Sequence, residues 1–142
     1  MYDDVFVPTD GSDTAKNAAS HAYSRAERYD GVIHILYVVE QSNAASIAGR
    51  GGQSFDSLRA EGAEITEEIT DEAGERDLEA TGTVEIGTPH RVIEKYVDEH
   101  GIDLIVMSTH GRSGLDRFLM GSVTERVLRT SETPVLTVRR EQ

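Results

Sequence analysis

The sequence predicts an α/β domain, an open five-stranded parallel sheet with helices on both faces. Three observations carry that reading. Five short apolar runs recur along the 142 residues, most of them continuous rather than alternating, as in strands covered on both faces. The segments between them are long enough for crossover helices, which parallel strands need and hairpins do not. Turn and helix-start signals, Asp10-Gly11 and Gly87-Thr88-Pro89, follow directly on two of the runs.

Taken in order, Tyr2 to Thr9 reads as a buried strand through Val5, Phe6 and Val7, ended by Pro8 and the Asp10-Gly11 turn. Ser12 or Asp13 caps a helix whose Ala15, Ala18, Ala19, Ala22 and Ala26 recur at helical spacing, a stripe that lets it sit close against a sheet. Gly31 restarts the chain into the apolar strand Val32 to Val39. Residues 41 to 54 form a small-residue loop without periodicity, expected to be the most mobile segment. Phe55 to Gly74 is polar with a thin apolar side (Leu58, Ala63, Ile65, Ile69) and reads as helix. Thr83 to Ile86 is a short strand. Pro89 suits a helix start, and Val92, Ile93, Tyr96 and Val97 form that helix's buried face. Leu104 to Met107 is the next strand, Ser122 to Arg129 the last helix, and Val135 to Val138 the last strand. With no internal repeat and no linker, residues 1–142 are expected to form one domain.

Composition narrows the function. The chain has 26 acidic and 14 basic residues, a formal net charge of −12, which argues against a nucleic-acid partner. Lysine occurs only at Lys16 and Lys95, and the acids are spread along the chain. Such a surface suits a protein kept soluble at very high salt, so a halophilic source is expected. Cysteine is absent, which excludes disulfides and thiolate chemistry. No run approaches a membrane span and no signal-like segment opens the chain, so a cytoplasmic location without membrane contact is expected.

In an open parallel sheet, ligands sit beyond the C-terminal strand ends where strand order reverses. Three ends matter: Pro8-Thr9-Asp10, Val38-Val39-Glu40 and Met107-Ser108-Thr109. The stretch from Asp103 to Arg129 is the most informative. It passes from a strand through a loop with Gly111 and Gly114 into a helix read as starting near Gly121-Ser122. Strand end, glycine loop and helix N-terminus together make a phosphate-holding arrangement. Ser122 and Glu125 also fit a capping box that merely stabilises a helix. Asp10 fits either a ligand contact or a simple turn. Arg112 and Arg117 border the loop, where they would pair with phosphate or offset carboxylates. His110 has no acid placed to orient it, His34 reads as a core strand residue, and His90 and His100 lie too far apart to share a metal. No protein-only metal site is legible. The Walker lysine pattern and the kinase signatures are absent.

These residues resemble the universal stress protein family. The likeness runs from VPTDGS (Val7 to Ser12) through LYVVE (Leu36 to Glu40) and GTP (Gly87 to Pro89) to the long segment above and PVLTVR (Pro134 to Arg139). The family's nucleotide-binding branch has Gly, two residues, Gly, nine residues, then Gly with Ser or Thr. Here Gly111, Arg112 to Met120 and Gly121-Ser122 fit, while Ser108 replaces the first glycine. The resemblance implies a Rossmann-like fold of the adenine nucleotide alpha hydrolase type and a haloarchaeal-type member. It implies a stress-response protein that binds ATP, or ADP or AMP, with slow or no hydrolysis. The nucleotide site would comprise Pro8, Thr9, Asp10, Val38, Met107, Ser108, Gly111, Arg112, Gly121, Ser122, Val123 and Thr124. Within it the backbone around Val38 would meet the adenine edge, Met107 would pack on the nucleoside and Asp10 would lie near the nucleoside or a phosphate-bound divalent ion, Mg or Mn. It further implies a homodimer through the last strand, Val135 to Arg139. The alternative is a dimeric interaction module of the same fold, with an empty cleft and an unknown protein partner.

Overall fold

The computed structural model describes residues 2–40, 55–109 and 117–139. The loop read at 41 to 54, together with His110, Gly111, Arg112 and Gly114, lies outside them. In chain order the elements are β1 (Asp4–Thr9), α1 (Asp13–Tyr29), β2 (Val32–Glu40), α2 (Phe55–Glu75), β3 (Glu79–Gly87), α3 (Pro89–His100), β4 (Leu104–Ser108), α4 (Arg117–Thr130) and β5 (Val135–Val138). The five strands form one parallel sheet in the order β3-β2-β1-β4-β5.

The sheet divides two cores. Alternate residues Val5 and Val7, Ile33 and Ile35, and Leu104 and Val106 face α1 and α2, where the α1 alanine stripe and Ile69 and Ala73 of α2 cover them. The stripe is fully buried, as its small side chains require for close helix approach. On the other face Phe6, Leu36, Ile105 and Met107 pack under Ile93 and Tyr96 of α3 and Val123 and Val127 of α4. Ser12 caps α1 by accepting the Ala15 N–H at 3.1 Å. Tyr23 locks α1 to α2, sharing its hydroxyl proton between the Ile69 carbonyl at 3.0 Å and Glu72 Oε2 at 3.2 Å. Burial, reinforced by Glu72, pushes the Tyr23 phenol well above the usual tyrosine range.

Two boundaries differ from the sequence reading by more than two residues. β3 begins at Glu79, four residues before Thr83, and pairs with β2 along its whole length, from Val32↔Glu79 to Glu40↔Gly87. It is an edge strand with Glu79, Thr81 and Glu85 exposed, so its polar start leaves no apolar signature. α4 begins at Arg117, and Gly121 and Ser122 are its fifth and sixth residues. Gly121 read as the start because glycine punctuates chains, yet a helix tolerates one in its interior.

Candidate functional site

β1 lies between β2 and β4: the chain adds β2 and β3 on one side of β1 and then crosses back to add β4 and β5 on the other, so the strand order reverses there. β1 and β4 are in register only at Val5↔Leu104 and Phe6↔Ile105. Beyond that point Pro8 has no N–H to extend a ladder. The ends Val7–Thr9 and Val106–Ser108 therefore flank a crevice at the switch point, the position at which open α/β sheets bind ligands.

The β1 side of the crevice is a self-supporting turn. Thr9, buried at the strand end, accepts the Gly11 N–H on its hydroxyl oxygen at 3.1 Å. Asp10 Oδ1 accepts the Ser12 N–H at 2.9 Å, so the turn reading of Asp10 is realised. Gly11 has φ +81°, a left-handed conformation that favours glycine. Ile65 of α2 sits directly on this turn: a Cβ on Gly11 would stand 2.7 Å from Ile65 Cδ1. One helical turn earlier, Gly62 lies against the Tyr37 ring, where an added Cβ would come within 2.5 Å of Cδ1. Tyr37 is itself in register with Thr9. Sequence reasoning missed this contact, because a glycine in a polar helix announces no partner.

The β4 side is closed by α4. Thr124, 2 % exposed, donates its hydroxyl to the Ser108 carbonyl at 2.8 Å. That bond fastens α4 to the end of β4. Ser108 is also buried, and among the described residues every buried side-chain polar atom has a partner. Met107 is fully buried in the α3–α4 core. Val123 is buried beside it and Ser122 is exposed. Since α4 starts at Arg117, Ser122 is not its cap, and the capping-box reading fails. The Gly121 and Ser122 amides also lie beyond the four that a helix leaves unpaired. Val38 is half-buried in β2, opposite Glu85, and Pro8 is buried. No group of three or more His, Asp or Glu that would hold a metal occurs among the described residues. None of the described helices is long and apolar enough to cross a membrane.

Thr124→Val keeps the shape and removes the donor. It is expected to cost about 1 kcal/mol in urea unfolding and to speed amide exchange in α4 before other helices.

A second polar cluster lies on the α3 side of the sheet, toward the opposite strand ends. His34 Nε2 is 2.9 Å from Asp4 Oδ1, and its Nδ1 is 2.8 Å from the Tyr96 hydroxyl. A carboxylate only accepts, so in the neutral ring Nε2–H donates to Asp4 and Nδ1 accepts from Tyr96. Thr83 bonds the same phenol, and burial first of all raises the Tyr96 pKa. The His100 and Phe6 rings both stack on Tyr96, with centroids 3.8 and 4.7 Å away. The expected core role of His34 holds, and its partners come from the register Phe6↔His34, which no spacing in the sequence reveals.

A family model for the universal stress protein family matches residues 1–139. The chain belongs to that family. Universal stress protein MJ0531 of Methanocaldococcus jannaschii is 34 % identical over 142 residues, spanning 99 % of this chain and 84 % of the relative. The solved structure of MJ0577, from the same organism, superposes with a TM-score of 0.86 at 30 % identity, covering 100 % of this chain and 99 % of that one. A universal stress protein solved in complex with cAMP matches with a TM-score of 0.69 at 28 % identity, with 97 % of each chain covered. The universal stress protein fold, a five-stranded parallel sheet in the order 3-2-1-4-5, is therefore the fold of this chain.

Proposed function

We propose that this universal stress protein binds an adenine nucleotide, ATP or its products, in the β1–β4 crevice and acts as a regulatory protein with slow or no hydrolysis. The observation that carries the reading is the crevice itself: beyond Phe6↔Ile105 the ends of β1 and β4 pair outward with β2 and β5 and no longer with each other, beside a turn already built by Thr9, Asp10 and Gly11. The relative solved with cAMP supports the ligand class. The adenine edge would meet the Val38 backbone, and Gly111, Arg112, Gly121 and Ser122 would hold phosphates. A Mg or Mn ion would arrive with those phosphates, near Asp10. Because α4 now begins at Arg117, the Gly121 and Ser122 amides become available only when the first turn of α4 opens, so binding would move the helix start toward Ser122. No lysine is evident for phosphoryl transfer, which supports weak turnover. The protein would act in the cytoplasm as a homodimer through β5, which ends the sheet and carries an outer edge for a second copy.

The buried Ser108 and its Thr124 latch favour a second reading, a dimeric interaction module whose cleft stays closed. Titration calorimetry with ATP and magnesium in high salt separates the two. The first reading expects near-stoichiometric binding that Gly121→Val abolishes. Absence of binding by the native chain, restored by Ser108→Gly, would establish the second.

A further inference from the structure

Although acids occur all along the chain, α2 is strongly acidic. That helix carries eight acidic residues against Arg59 alone. Six of them, Glu64, Glu67, Glu68, Asp71, Glu72 and Glu75, are exposed and form an unbroken chain of neighbours three or four residues apart. Like charges at those spacings destabilise a helix. Its last turn holds no basic residue, so Glu72 and Glu75 also face the negative end of the helix dipole. Among the described residues few groups answer them, the Tyr23 hydroxyl that donates to Glu72 being one. Lys16 reaches Glu68 at 3.5 Å with both side chains about half exposed, and Arg76 is engaged by Glu27 at 3.1 Å. α1, by contrast, has Arg28 in its last turn.

Against this repulsion α2 docks through a narrow strip. Gly62, Thr66, Ile69 and Ala73 are buried, and Leu58 and Ile65 half-buried. The same strip supports the crevice, with Ile65 on Gly11 and Gly62 on Tyr37.

We infer that ionic strength sets how firmly α2 docks, and that α2 in turn holds the Asp10–Gly11 turn in shape, making the helix a salt-responsive element of the crevice. Screening lengths decide the direction. Neighbours at i and i+4 stand about 5–6 Å apart. The Debye length is about 10 Å at 0.1 M salt and about 3 Å at 1 M, so the repulsion acts at low salt and is relieved at high salt. The effect on a nucleotide rests on the function proposed above, whereas the effect on α2 and Gly11 does not.

The test is amide hydrogen exchange on the full chain at roughly 0.1 M and roughly 2 M KCl. α2 and the Gly11 amide should exchange at least about tenfold faster at low salt, and α3 much less so. The variant Glu64→Gln/Glu67→Gln/Asp71→Asn/Glu75→Gln should erase that difference. An equal response in every helix, or an unchanged response in the variant, overturns the proposal. ATP affinity measured on the same samples separates the two claims. Failure to bind at either salt sinks the nucleotide reading and leaves the exchange result to judge α2. Equal affinity at both salts overturns the link from α2 to the ligand.

Discussion

Met107→Ala should lower the unfolding free energy by about 2–5 kcal/mol, the range for emptying a buried site of this size. Met107 has no exposed surface and packs with Phe6, Ile105 and Val123 beneath α3 and α4. Were it a nucleoside contact, truncation would weaken ligand binding and leave stability nearly unchanged. Urea unfolding in high salt, with and without ATP, tells these apart. A large loss in the ligand-free protein places Met107 in the core. Loss confined to the ligand-dependent part of the stability would return it to the cleft.

His34→Leu should cost about 1–3 kcal/mol although it adds apolar surface to a core. The leucine would leave Asp4 without its imidazole donor and deprive the Tyr96 hydroxyl of its acceptor on β2. The Asp4 side chain is about a third exposed, so water recovers part of its loss and holds the estimate to that range. Tyr96→Phe should be milder, since it removes the phenol and leaves His34 bonded to Asp4. Equal stability of His34→Leu and the native chain would show that the cluster contributes nothing net.

Much of the fold was legible because its signals are local. The alanine stripe located α1, the continuous run from Val32 located β2, and Thr88-Pro89 located the start of α3. What was hidden depends on partners distant in the chain. The first half of β3 is held mainly by pairing with β2, so Glu79 to Gly82 gave no strand signal. In β4, Val106 and Met107 are both apolar, and alternation alone does not tell which core each faces when both faces are covered. The strand ends of the crevice were readable as such. The Thr124 bond to the Ser108 carbonyl was not, because it required the placement of α4 against β4. The same limit hid the contacts of Gly62 and Ile65: the sequence shows a polar helix with a thin apolar side, and only the fold shows what that side rests on.

The central claim is that a nucleotide occupies the β1–β4 crevice. Its most direct test is a two-dimensional amide spectrum of the labelled protein in high salt, titrated with ATP and magnesium. Saturable shifts at Thr9, Gly11, Val38 and Ser108, with changes in the first turn of α4 and little change around His34, are the predicted result. An unperturbed spectrum at millimolar ATP, or shifts confined to residues away from these strand ends, would contradict it.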